Sequence, residues 1–179
     1  KKMLLAAGVP CIPGYQGEDQ SDARLCAEAE RIGFPLMIKA AAGGGGRGMR
    51  LVEAAAELPD ALQRARSEAQ SAFGNADVIL ERAISEPRHI EIQIMADRYG
   101  KVIHLGERDC SLQRRHQKIV EEAPSPAVSA ELREQMGAVA VTAAKAIGYE
   151  GAGTLKVLLY RQVNFYCMKM STRLQVEHP

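Results

Sequence analysis

Cysteine is scarce and scattered in this 179-residue chain: Cys11, Cys26, Cys110 and Cys167 include no CxxC pair. That spacing gives no zinc-ligand set and no disulfide framework, and it fits a reducing compartment. Charge of one sign is also lacking. Twenty-three Lys and Arg stand against 22 Asp and Glu, for a formal net charge of +1. No global field therefore argues for nucleic acid or a membrane surface, and any charge-driven function must be local. No apolar run approaches the roughly 20 residues of a membrane span. The apolar part of the opening KKMLLAAG is too short for a signal peptide. Internal repeats are absent as well. What remains, 46% hydrophobic residues over this length, can bury a sizeable core in one domain or two small ones.

Periodicity gives the elements. Residues 1 to 8 read as the last turns of a helix stopped by Gly8, with Pro10 and Pro13 fixing an extended exit and a short strand following. Ser21 is the expected N-cap of a helix over 22–32, in which Leu25, Ala29 and Ile32 recur at helical spacing before Gly33. A strand is expected over 35–39, a helix over 53–72 and a strand over 78–83. Residues 89–96 and 101–107 read as a hairpin about the turn Asp97-Arg-Tyr-Gly100. The apolar stripe Leu132, Met136, Val139, Val141, Ala144 and Ile147 predicts a helix over 129–147. Residues 154–159 and 165–170 read as a second hairpin. Helices alternating with hairpins predict an α+β architecture. Lys1 begins inside a helical pattern and Pro179 follows without a closing element, so the sequence reads as a piece of a longer chain.

Three segments carry chemistry. In the first, Lys39-Ala-Ala-Ala-Gly43-Gly44-Gly45-Gly46-Arg47-Gly48, four consecutive glycines are costly to order. Bare backbone N–H groups there could close on phosphate oxygens, with Lys39 or Arg47 adding charge. A plain hairpin tip is the alternative, and a Walker A loop is excluded because GxxxxGK[ST] before a helix is absent. In the second, Glu107 to Lys118 crowds both charge signs into one segment. It could hold sugar hydroxyls and phosphates, form a solvated basic loop, or contact RNA through Arg114, Arg115 and Lys118. The segment has no interleaved aromatics to stack on bases, which weakens the RNA reading. The third is Thr172-Arg173-Leu-Gln175-Val-Glu177-His178-Pro179, a polar cluster directly after a strand.

Taken in order, KAxxGGGGRGM, EPRHIEIQ, ERDCSLQRRHQKIVEEAP, GAGT and TRLQVEHP resemble the ATP-grasp core of biotin carboxylases across essentially the whole chain, and Gly14 to Gln20 is similar to the methylcrotonoyl- or propionyl-CoA class. The resemblance implies an ATP-grasp fold with two α+β lobes and a Gly-rich hairpin lid. It divides the chain into a first part of the core over 1–39, a lid subdomain over about 40–120 and a second part of the core over 121–179. It implies carboxylation of biotin with bicarbonate and ATP through carboxyphosphate. ATP, Mg²⁺ and biotin on a carrier domain are then the expected ligands, with the remaining carboxylase domains or a carboxyltransferase subunit as partners, in the cytoplasm or, in a eukaryote, the mitochondrial matrix.

The same resemblance assigns roles. Lys39 and the backbone of Gly44, Gly45 and Gly46 contact ATP phosphates. Glu81, Arg82 and Ile84 hold adenine, while His89, Gln113, His116 and Leu158 complete the nucleotide contacts. Lys118 steadies the phosphoryl group and bicarbonate. Arg173, Gln175 and Val176 line the bicarbonate pocket, and Glu177 is the general base. One departure stands out. The family's metal-ligand carboxylates fall at Lys156 and Lys169, and its nearby asparagine at Ser171. Mg²⁺ takes hard oxygen ligands, and an ammonium group cannot ligate it, so this copy is expected to be impaired and without metal. The other reading is that both lysines face solvent after a local slip of register near Arg161-Gln-Val163. Other expected functions are a non-catalytic nucleotide-binding module, another ATP-grasp ligase such as carbamoyl-phosphate synthetase, and last an RNA-binding domain.

Overall fold

The computed structural model describes residues 2–43, 48–114, 117–161 and 164–178. The chain forms two compact units, one of Ile12–Ile84 and one of Lys1–Cys11 with Ser85–Pro179. The boundary at 84/85 falls inside the 40–120 segment expected as a lid subdomain.

In the unit Ile12–Ile84, β1 (Gly14–Tyr15), β2 (Leu36–Ala40), β3 (Met49–Val52) and β4 (Val78–Arg82) form an antiparallel sheet in the order β1-β4-β2-β3. The helices α2 (Asp22–Ile32) and α3 (Leu58–Phe73) complete the unit. Ser21 caps α2 as expected, its hydroxyl accepting from the Arg24 N–H, and Gly33 at φ 84° ends it. The helix expected over 53–72 differs at its start: a 3₁₀ turn covers Ala55–Glu57 and α3 begins at Leu58. Pro59 explains the late start, because it is tolerated only in a first helical turn. Leu25, Ala29 and Ile32 from α2, Leu58, Leu62 and Ala65 from α3, and Leu36, Ile38, Val78 and Leu80 from the sheet share one core. Burying each Leu or Ile contributes about 1.5–3 kcal/mol.

The second unit holds α1 (Lys2–Ala6) and a five-stranded antiparallel sheet in the order β7-β6-β5-β8-β9. Its strands are β5 (Arg88–Ala96), β6 (Val102–Arg114), β7 (Gln117–Glu122), β8 (Gly151–Tyr160) and β9 (Asn164–Ser171). Helix α4 (Ala130–Ala146), capped by Ser129, packs on one face. The pleat sorts the residues. Ile90, Ile92 and Ile94 of β5 and Leu155, Val157 and Leu159 of β8 share a core with Leu132, Met136, Ala140 and Ala143 of α4, so Glu91, Gln93, Thr154 and Lys156 between them lie on the opposite face. In segment 107–118, for which a solvated loop is one reading, the described residues 107–114 and 117–118 lie on the paired strands β6 and β7, and Arg108 is fully buried. Glu107 and Asp109 turn toward the helix side. Arg133 of α4 donates twice to Glu107, at 2.6 and 2.8 Å, and Ser125 donates to Asp109 at 3.0 Å. A one-residue step between the pairs Ile92↔Glu107 and Ile94↔His104 is accommodated by Gly106 at φ 85°, a backbone conformation that favours glycine.

Candidate functional site

The α4-free face of the five-stranded sheet carries a charged row. Glu91 pairs in register with Arg108 on one side and Lys156 on the other, and Lys156 pairs with Lys169. Directly paired residues share a face, so these four side chains cross β6, β5, β8 and β9 in line. Glu91 is the hub and is fully buried. Its Oε2 accepts from Arg108 Nη2 at 2.7 Å and from Lys118 Nζ at 2.8 Å. Its Oε1 lies 2.8 Å from Lys156 Nζ and 3.3 Å from His89 Nε2. Glu121 of β7 closes the row by accepting from Arg108.

Electrostatics follow from this packing. Burial opposes ionisation of Glu91, but contacts with His89, Lys118 and Lys156 outweigh it and hold the carboxyl well below the usual carboxylate range. Lys118 moves the other way. Burial favours its neutral form, yet the hydrogen bond to Glu91 lifts it above the ordinary lysine value. Both groups are charged throughout the neutral range. Cys110 beside them is pushed up to about 11, chiefly by burial and then by Glu91.

Several expected site residues meet on this face. Gln113 Nε2 contacts His89 Nδ1 at 2.8 Å and donates to the Cys110 carbonyl. Leu158 is the cross-strand partner of His89. Ser171 pairs with Thr154, one step along from Lys169. The TRLQVEH segment is pinned to the same face: Gln93 Oε1 accepts from the Thr154 hydroxyl at 3.1 Å and from the Gln175 N–H at 3.3 Å, and His178 Nε2 contacts the Leu105 carbonyl at 2.9 Å. Gln175 is buried, whereas Arg173, Val176 and Glu177 are exposed.

Lys39, Glu81, Arg82 and Ile84 belong to the other unit. Lys39 Nζ lies 2.5 Å from Glu81 Oε2. The Arg82 N–H donates to Pro13 O at 2.9 Å and the Ala83 N–H to Pro35 O at 3.0 Å. Gly44, Gly45, Gly46 and His116 lie outside the described residues.

The expected nucleotide-site residues did not include Glu91, Arg108, Glu121, Gln93 or Thr154. The alternation in His89-Ile-Glu-Ile-Gln93 was a signal for two of them, since a strand with isoleucines on its core face sends both polar residues to the other. Burial of Arg108 depends on a register that sequence does not carry.

The donor set does not fit Mg²⁺. Lys156 and Lys169 offer ammonium groups, Ser171 one hydroxyl, and both Glu91 oxygens are already engaged by cations. Among the described residues no three His, Cys, Asp or Glu side chains converge as a metal-ligand set. Lys156 does not simply face solvent, since its side chain is 15% exposed and paired with Glu91. The register does step by one residue, but beyond the lysine pair: Lys156↔Lys169 is followed by Val157↔Cys167, with Met168 between.

Comparison with solved structures identifies this architecture as an ATP-grasp domain of the biotin carboxylase type. The structure is similar to the biotin carboxylase domain dimer of Hydrogenobacter thermophilus 2-oxoglutarate carboxylase, solved with MgADP, ADP and bicarbonate, with a TM-score of 0.91 and 48% identity over 100% of this chain and 40% of that one. In sequence it is 56% identical to biotin carboxylase of a Nostoc species and 55% identical to the mitochondrial methylcrotonoyl-CoA carboxylase subunit alpha of Dictyostelium discoideum, in each case over the whole chain. The family model described as the carbamoyl-phosphate synthase L chain, ATP binding domain, matches residues 1–179, and the chain belongs to that family. It spans 40% of the Nostoc relative and 26% of the Dictyostelium one.

Proposed function

We propose that the chain is the ATP-binding part of a biotin carboxylase within an acyl-CoA carboxylase, and that its parent carries biotin on a carrier domain beside further carboxylase domains or a carboxyltransferase subunit. The observation that carries this reading is the meeting of the Lys118–Glu91 pair and the pinned TRLQVEH segment on one sheet face. That arrangement suits a phosphate chain held by Lys118 next to an anion presented by Arg173, Gln175 and Val176, with Glu177 taking the proton from bicarbonate. Adenine falls to Glu81, Arg82 and Ile84, phosphates to Lys39 and the Gly44–Gly46 backbone, and the remaining nucleotide contacts to His89, Gln113, His116 and Leu158. The relatives' carboxylase names and the bound ADP and bicarbonate of the Hydrogenobacter structure support the same reading. Named relatives include a mitochondrial form, and among the described residues no helix is long and apolar enough to cross a membrane. The cytoplasm, or the mitochondrial matrix in a eukaryote, is the proposed location.

Turnover is proposed to be impaired, because ammonium groups stand where the family's metal ligands would be. Calorimetric titration of ATP into this chain tests the binding role, and absence of any ATP binding overturns it. Bicarbonate- and biotin-stimulated, Mg²⁺-dependent ATP hydrolysis at the rate of an ordinary biotin carboxylase would overturn the impairment.

A further inference from the structure

We propose that the Lys156–Lys169 pair makes the α4-free face a metal-independent polyphosphate site, in which ammonium groups hold the nucleotide's phosphate chain directly. The inference rests on the nucleotide-binding reading above. Its basis is the charge and geometry of the row. Arg108, Lys118, Lys156 and Lys169 supply four cations, against two carboxylates, Glu91 and Glu121. The excess is positive and lies toward the β9 side.

The two lysines differ in state. Lys156 is held by Glu91 at 2.8 Å, largely buried and therefore fixed in position. Lys169 is exposed and makes no ion pair among the described residues. Direct cross-strand pairing puts them on one face with their Cβ atoms roughly 5 Å apart, close enough for two ammonium groups to reach oxygens of neighbouring phosphates. The step at Met168 preserves this. It returns Cys167 to the core beside Val157 while Lys169 stays with Lys156.

Like charges opposite one another repel when the site is empty, and a polyanion relieves that repulsion. A divalent cation would add to it. Ammonium groups serve as point-charge donors to phosphate, so they can take over the neutralising role that a metal ion has in other phosphoryl-transfer sites. Uncomplexed ATP carries more negative charge than its Mg²⁺ complex, so the row should favour the uncomplexed form.

Titration of ATP, ADP and AMP into the wild-type chain and into K169Q, K156Q and K156E/K169E, each in EDTA and in excess Mg²⁺, tests this. The expected result is wild-type affinity for ATP that is equal or higher in EDTA, falling from ATP to ADP to AMP, with inorganic tripolyphosphate competing in EDTA. K169Q should lose tenfold or more of the metal-free affinity while its circular dichroism and unfolding midpoint stay unchanged, because Lys169 is exposed and makes no ion pair among the described residues. In K156E/K169E, any binding that survives should require Mg²⁺. A tenfold gain in wild-type affinity on adding Mg²⁺, or an unchanged metal-free affinity in K169Q, overturns the inference and leaves the nucleotide reading standing. No binding in either buffer overturns both.

Discussion

Lys156 and Glu91 are direct cross-strand partners, and the ammonium nitrogen of one sits 2.8 Å from a carboxylate oxygen of the other, which is fully buried. A buried ion pair offsets its desolvation only when its geometry is good and the other lone pairs are also met. Arg108 and Lys118 both donate to Oε2, while Oε1 has charge contact with Lys156 and no hydrogen bond among the described residues, so Glu91 acts as a counter-ion shared by three cations.

Removing that counter-ion should be costly. Glu91→Gln leaves Arg108, Lys118 and Lys156 without their shared charge, and breaking such a buried pair costs about 3–5 kcal/mol. Urea unfolding at neutral pH should show an unfolding free energy lowered by that amount, and a loss under about 1 kcal/mol would mean that the row is effectively solvated.

The acid limb of stability follows from the same residue. The folded-state ionisation of Glu91 lies below its ordinary value of 4.5, so its stabilisation is present above that value and is lost as pH falls toward the depressed one. Glu107 and Asp109 are also held low: burial opposes their ionisation, and hydrogen bonds chiefly from Arg133 and Ser111 outweigh it. Unfolding followed from pH 7 downward should therefore show stability falling below pH 4.5, with a shallower fall in Glu91→Gln. Identical slopes would remove Glu91 from the account.

Gly14→Ala should loosen the other unit. A Cβ at Gly14 would stand 2.4 Å from the Leu80 carbonyl oxygen and 3.0 Å from Glu81 Cγ, and the contact with backbone cannot be relieved by a rotamer change. Overpacking of this kind costs about 1–3 kcal/mol, read as a lowered unfolding midpoint. ATP affinity should fall as well, because β4 carries Glu81 next to the strand that moves.

Thiol labelling should separate the four cysteines. Burial pushes Cys110 up to about 11 and Cys167 up to about 12, helped by Glu91 and Cys11 respectively, and Cys11 is itself buried. Only Cys26 is partly exposed. At pH 8 an aromatic disulfide reagent should modify one thiol quickly in the folded chain and all four after denaturation. Rapid modification of two or more in the folded state would contradict the packing of the five-stranded sheet.

The sequence by itself determined most elements and the family. Ser21 and Gly33 mark helix ends through local backbone chemistry, and alternating isoleucines mark a strand with one buried face, so these were readable from neighbours a few residues apart. The start of α3 was missed because Pro59 acts through first-turn sterics while the alanine-rich run around it still looks helical. What tertiary structure alone decided is the register. Residues 91, 108, 118 and 156 are far apart in the chain, and only strand pairing puts three cations on one carboxylate. For Lys156 and Lys169 the sequence predicted the hairpin that brings them to one face, while tertiary structure decided their states, one held by Glu91 and the other without an ion pair among the described residues. Charge interactions depend on distance and burial, and neither is a property of sequence separation.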